Sequence, residues 1–284
     1  MREYRISPAV ARTWRQLRMA TTYRPAAARV AGRPYPVPVL MYHKVGHPVA
    51  CRQDTFLNVP AEDFRRQMRL LAALGYRART FAEVVEAIVC GHTLPRRTFA
   101  VTFDDGYRCI GEAAVPVLAE LNFPATIFVV PSGVGQTNVW DSGEDIPALS
   151  LLDWESLSRL ISAGWEMGGH THSHPHLDAL DDESAYAQIV SGKQAVEERL
   201  GISLTTFCYP FGHYNARTPA LVRAAGFLGA TTTRSGLARP ESDPFLIPRV
   251  KVAYRDGVMG LLYRILVRPN LPNTRPRRRE YPTV

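Results

Sequence analysis

Two stretches of this 284-residue chain carry residue types and spacings that suit metal binding and proton transfer. The first is Val101-Thr102-Phe103-Asp104-Asp105-Gly106-Tyr107, where two adjacent carboxylates interrupt an apolar run. Asp and Gly are ordinary turn residues, so this pair gains weight only from the second stretch. That stretch, Gly169-His170-Thr171-His172-Ser173-His174-Pro175-His176, holds four of the chain's eight histidines within seven residues. Packing does not account for such a density. Imidazoles four residues apart can converge on one cation from a turn, and a carboxylate from elsewhere completes a two-His-one-carboxylate set with positions open for water and substrate. Spacing alone leaves open whether His170 with His174 or His172 with His176 supplies the nitrogens.

Chemistry of this kind needs a frame that brings distant residues together. Phe99, Val101 and Phe103 alternate as a strand does, and Gly106 supplies a turn, so the acids fall at a strand's C-terminal end. Further strands are expected at Val37–Tyr42, Ala125–Val130, Trp165–Gly169, Leu204–Tyr209, Leu228–Thr232 and Phe245–Val252. Helices are expected at Pro60–Leu74, from the capping box Thr80-Phe81-Ala82-Glu83 to Gly91, around Glu112–Leu121, after Asp153, at Asp182–Leu200 and at Thr218–Ala225. The segment Ser132–Ser150 reads as a long loop able to line a cleft. Seven or eight βα units without a glycine-rich dinucleotide fingerprint imply an α/β fold, a (β/α) barrel rather than an open sheet. In a barrel, the acids, the histidines and the Pro-Phe-Gly after Tyr209 all lie at strand ends on one face.

The termini differ from the body. Residues 1–36 hold eight Arg and one Glu, residues 255–284 hold seven Arg and two acids, and the remainder is net acidic in a chain of formal charge +8. The division expected is a basic N-terminal extension over 1–36, with a helix near Pro8–Thr21, a catalytic domain over 37–254 and a basic tail over 255–284. Such arms suit peripheral contact with an anionic membrane surface or an acidic partner. Nucleic acid is disfavoured, because the Arg residues are not interleaved with stacking aromatics on a nucleic-acid module. No stretch approaches the roughly 18 uninterrupted apolar residues of a span, and no signal-peptide core is recognisable. Cys51, Cys90, Cys109 and Cys208 match neither a zinc ribbon nor a disulfide scaffold, so free thiols in a cytoplasmic setting are expected.

The motifs resemble those of the polysaccharide deacetylases, or NodB-homology domains, of carbohydrate esterase family four, over roughly Val37 to Val252. Thr102-Phe103-Asp104-Asp105-Gly106 resembles the family's first motif and His170-Thr171-His172-Ser173-His174-Pro175 its second. Phe207-Cys208-Tyr209-Pro210-Phe211-Gly212 is similar to the third, and Pro38-Val39-Leu40-Met41-Tyr42-His43 resembles the start of poly-N-acetylglucosamine deacetylase-like members. The resemblance implies a distorted (β/α) barrel that removes an N-acyl, most simply N-acetyl, group from an amino sugar of a glycan or glycoconjugate. It implies that Asp105, His170 and His174 hold one divalent metal, zinc in the first place with Co, Ni or Mn as alternatives. Asp104 is then the general base, and Phe211 contributes an oxyanion-stabilising N–H, with Tyr209 beside it.

Two departures from the family pattern raise further expectations. Cys208 stands where the third motif often has an Arg that orients the catalytic Asp, and Arg249 is the candidate substitute through a bidentate pair with Asp104. No histidine follows residue 213, so the leaving amine must take its proton from His43, His176, His213 or water, and His43 is favoured. Other readings are a deacylase of a small non-sugar amide and a glycan-binding barrel that has lost turnover. A non-haem iron oxygenase shares the ligand set but usually has an all-β scaffold.

Overall fold

Short apolar strands alternate with helices throughout the computed structural model, which describes residues 35–47, 57–140, 148–254 and 256–270. The strands are β1 (Val39–Tyr42), β2 (Lys44–Val45), β3 (Asn58–Val59), β4 (Arg77–Arg79), β5 (Thr98–Asp105), β6 (Thr126–Val129), β7 (Glu166–Gly169), β8 (Thr206–Cys208), β9 (Gly229–Ser235) and β10 (Ile247–Lys251). Every residue of β1, β5, β6 and β8 is buried, as befits parallel strands covered on both faces. The pairing runs β1-β10-β9-β8-β7-β6-β5, and β1 pairs again with β5, so seven parallel strands close into a ring. The expected (β/α) barrel is thus the architecture. It is distorted at β5, whose first residues pair with the extra strand β4 and whose last four pair with β6.

Alternation along the strands divides the core in two. Leu40, Val101, Phe103, Ile127 and Phe207 pack outward with Phe64, Met68, Leu118, Leu157, Ile189 and Val222 of the surrounding helices. Val39, Ala100, Phe128, Cys208 and Ile247 come from strands that are not all neighbours, yet they form one cluster, which places them inside the ring. Phe81, Val84, Val85 and Ile88 of the helix Phe81–Cys90 complete that cluster. This helix closes the N-terminal mouth of the barrel: Phe81 N–H donates to Thr126 Oγ1 at 2.8 Å and Ala82 N–H to Glu166 Oε2 at 2.7 Å, both acceptors being first residues of strands. The Thr80–Glu83 capping box is formed in both directions, leaving the helix's first turn fully hydrogen-bonded. The N-terminal mouth is thereby filled.

Helices Ala61–Ala73, Asp182–Leu200 and Thr218–Ala224 lie within a residue or so of their expected limits. Asp153 and Asp181 cap the helices that follow them by accepting from Ser156 N and Ser184 N. The helix expected around Glu112–Leu121 is instead two short ones, Arg108–Ala113 and Val115–Glu120. Pro116 is the reason, since it offers no N–H to the preceding turn. Within the expected loop 132–150, Thr137 bridges Ser150 in antiparallel fashion, while 141–147 lie outside the described residues. So does the helix expected near Pro8–Thr21. Past residue 254, helix Gly257–Leu262 packs on helix Ala61–Ala73, with Leu261 and Ile265 buried. The packed body therefore extends beyond the composition boundary expected at 254.

Candidate active site

Strand register explains how the motifs meet. Asp105 pairs with Val129 and Val129 with Gly169, so His170 emerges level with the acids and two strands away. Tyr42 pairs with Phe103, which sets His43 beside Asp104. Asp104 continues the inward-facing series Ala100, Thr102, and strict alternation would turn Asp105 outward. Asp105 instead takes a left-handed backbone conformation, φ 69°, followed by Gly106 at 78°. That bend lets neighbouring carboxylates face the same cleft. Thr171, His174 and Phe211 also have positive φ, a concentration of strained backbone typical of functional sites.

The atoms that converge are His170 Nε2, His174 Nε2 and Asp105 Oδ1. The two nitrogens are 3.2 Å apart and each is 3.3 Å from the oxygen. Ligands at about 2.0–2.1 Å from a tetrahedral zinc are about 3.3 Å from one another, so the donor set fits one divalent cation. Buried Asp105 Oδ1 has no well-directed hydrogen bond among the described residues, although two ring nitrogens are close. The three atoms point at a shared gap rather than along N–H bonds. His170 Nδ1 lies 2.7 Å from the Cys208 carbonyl oxygen, which as acceptor fixes the tautomer and turns the Nε2 lone pair into the gap. Burial would raise the Asp105 pKa, but the charge of His174 and the close approach of both imidazoles hold it well below the usual carboxylate range. His170 and His174, rather than His172 and His176, are the pair whose Nε2 atoms converge with Asp105 Oδ1.

Asp104 is buried and paired with Arg249, Nη1 to Oδ1 at 2.6 Å and Nη2 to Oδ2 at 2.7 Å. Arg249, itself 1 % exposed, also donates to Thr102 Oγ1, to the Thr232 carbonyl and to Cys208 Sγ at 3.2 Å. It therefore supplies from β10 the clamp that the residue at Cys208 does not. Burial raises the Asp104 pKa, and the charges of Arg249 and His43 outweigh it, leaving the carboxyl below its ordinary value. Asp104, His170 and Cys208 also lie close enough to hold a cation. Burial pushes the Cys208 thiol up, however, so it stays protonated, and both oxygens of Asp104 are taken by Arg249. His43 Nε2 stands 3.5 Å from Asp104 Oδ2. Burial lowers the His43 pKa against the opposing pull of Asp104 and Asp105.

Other expected residues separate. The Phe211 ring meets His174 edge-on, with centroids 4.5 Å apart, so its turn borders the cation gap. Tyr209 does not enter the cleft: it is fully buried and its hydroxyl donates to the Phe245 carbonyl at 2.9 Å. Its place is in the outer core. Two contributors escaped sequence reasoning. Trp140 stacks on His174 at 4.9 Å, from a loop where no periodicity marks it. Gly192, within helix Asp182–Leu200, leaves room for the histidine turn: a Cβ there would lie 2.4 Å from the Thr171 carbonyl carbon and 2.7 Å from His172 N. An isolated glycine inside a helical pattern was the available signal.

Fold and site together define a (β/α)-barrel hydrolase whose donor set suits a single divalent cation. Residues 91–230 match the family model described as polysaccharide deacetylase, a family whose members act on the carbon–nitrogen bond of N-acetyl groups. His43 and Arg249 lie outside the matched span. The chain is 25% identical over 221 residues to a putative polysaccharide deacetylase, YxkH of Bacillus subtilis, covering 78% of this chain and 73% of that protein. It is 25% identical over 205 residues to the poly-beta-1,6-N-acetyl-D-glucosamine N-deacetylase of Staphylococcus epidermidis, covering 69% and 68%. Among solved structures, IcaB from Ammonifex degensii superposes with TM-score 0.68 at 26% identity, covering 80% of this chain and 95% of that one. The Streptococcus pyogenes deacetylase PplD shares the fold with TM-score 0.70 at 22% identity, covering 81% and 98%.

Proposed function

We propose that this protein hydrolyses the N-acetyl group of an amino sugar in a polysaccharide or glycoconjugate, with Asp105, His170 and His174 holding zinc and Asp104 as general base. The observation that carries the reading is the near-equilateral set of three donor atoms beside a carboxylate clamped by Arg249. The names of the Staphylococcus epidermidis and IcaB relatives support the substrate class. When bound, the cation supplies Lewis acidity that activates water and polarises the amide carbonyl. Asp104, kept ionised by Arg249, takes a proton from the attacking water as the new carbon–oxygen bond forms. His43, within reach of Asp104, passes a proton to the amine as the carbon–nitrogen bond breaks and acetate departs. The Phe211 N–H, in a turn held at positive φ, is the proposed donor to the oxyanion.

Acetate release from N-acetylglucosamine oligomers by the zinc-loaded protein tests this reading. Activity on small amides with none on the oligomers would assign the site to a non-sugar substrate.

The finer setting is part of the same proposal. No described helix is long and apolar enough to cross a membrane. Met259, Tyr263 and Val267 are exposed on the C-terminal helical segment, and Arg275 and Arg277–Arg279 follow it in sequence. Apolar side chains next to cations suit an anionic membrane surface, and Cys90, Cys109 and Cys208, all free, suit a cytoplasmic setting. Co-sedimentation with phosphatidylserine vesicles but not with neutral ones tests the membrane contact.

A further inference from the structure

The histidine cluster has a member that the cation gap does not use. His176 leaves the same turn as His174 but meets His213 across the cleft rim, Nδ1 to Nδ1 at 3.0 Å. Asp178 Oδ1 lies 3.8 Å from His213 Nδ1, and all three donor atoms fall within 4.8 Å of one another. The geometry points to a second divalent-cation site at this rim, formed by His176, Asp178 and His213 and suited to a borderline cation such as zinc. Ligand atoms of a tetrahedral zinc stand about 3.3 Å apart, and these three bracket that spacing. Two imidazoles and a carboxylate are also the donor types such ions select.

Each ligand is held in place by the fold. The His176 ring stacks on Phe211, with centroids 4.0 Å apart and planes 8° apart. Leu177, fully buried, anchors the turn Leu177–Ala179 that carries Asp178. His213 ends the Pro210–Gly212 turn, its N–H donating to the Pro210 carbonyl at 3.0 Å. His176 and Asp178 are exposed, so a cation there keeps open positions for water and is held less tightly than one in the buried triad.

Such a cation would tie the loop after β7 to the loop after β8. Phe211 lies between the two sites, stacked on His176 and edge-on to His174. Occupancy of the rim would stiffen this turn and narrow the cleft, so that excess zinc lowers turnover; this consequence, unlike the site itself, rests on the proposed deacetylase reading.

Equilibrium dialysis of the full chain against Zn2+ alone tests the site. The wild type should bind two equivalents, the second more weakly, while His213→Ala and Asp178→Asn each bind one fewer and keep the tight one. His170→Ala should lose the tight equivalent and keep the weak one. A wild type that binds one equivalent, or a His213→Ala variant with undiminished stoichiometry, would overturn the inference. Retention of the tight equivalent shows that a variant is folded. If the deacetylase reading holds, excess zinc should cut wild-type turnover roughly tenfold, with the inhibition relieved in His213→Ala. No turnover in any form, with the stoichiometries as expected, would sink the deacetylase reading and leave the rim site standing.

Discussion

Arg249 reaches from β10 across the barrel interior and grips both oxygens of Asp104, at 2.6 and 2.7 Å. Neither residue has appreciable access to solvent. The pair is both a structural tie between strands and the device that keeps the proposed base ionised and aimed.

Removing Arg249 should therefore be costly twice over. Arg249→Ala leaves a buried carboxylate unpaired, and breaking a buried pair in this way costs about 3–5 kcal/mol. Denaturant melts should show that loss. Arg249→Lys keeps the charge without the fork, so it should recover part of the stability but little of the activity. Wild-type turnover in the lysine variant would show that aiming Asp104 is not its role.

The adjacent acids should separate by experiment. Asp104→Asn should lower kcat by about 100- to 10,000-fold, the range for a general base, with bound zinc unchanged. Asp105→Asn should lose the tightly held zinc. Plasma emission spectroscopy alongside acetate release distinguishes them, and equal zinc loss in both would remove the division of labour.

His43 is expected to matter most when the leaving group is a poor one. His43→Gln should slow hydrolysis of an N-acetyl sugar far more than that of an activated aryl acetate, whose phenolate leaves without a proton. Equal slowing of both substrates would point to a positioning role for His43.

Gly192→Ala tests the contact between helix Asp182–Leu200 and the histidine turn. The added methyl would meet backbone atoms of Thr171 and His172 at 2.4–2.7 Å, so one of the two elements must move. Overpacking of this kind costs about 1–3 kcal/mol. Zinc affinity should fall with stability, although Gly192 ligates nothing. An unaltered affinity would mean that the helix gives way and the turn does not.

Acid should destabilise the metal-free protein through Asp104 and Asp105. Both carboxyls have folded-state values below the ordinary 3.8, Asp105 well below it. Their contribution is thus fully present above that value and lost as pH falls through the folded-state values. A circular dichroism titration from about pH 5 to about pH 2 should show unfolding on this limb, shallower in a variant carrying both Asp104→Asn and Asp105→Asn. A limb equally steep in that variant would place the lost protons elsewhere.

Much of this was written locally. The strand-helix rhythm, the capping residues Thr80, Asp153 and Asp181, and the closing Gly91 and Gly201 are short-range signals, and hydrophobic periodicity marked the elements within a few residues. Motif resemblance picked out Asp104, Asp105, His170 and His174. The break before Pro116 and the true role of Tyr209 were misread, because a helix interruption and a core tyrosine differ from their alternatives only in what packs around them.

Three facts depended on the closed barrel. His43, Asp104 and Arg249 span 206 positions of sequence and meet because β1 and β10 close the ring beside β5. The left-handed turn at Asp105 lets both acids face one cleft, an outcome opposite to regular strand alternation. Gly192 and Trp140 acquire meaning only against the histidine turn. Side-chain type and spacing decide which residues can bind a cation or move a proton, since that chemistry belongs to the individual group. Which of them share a cleft, and which clamp or crowd the others, is set by strand register and packing between elements far apart in the chain.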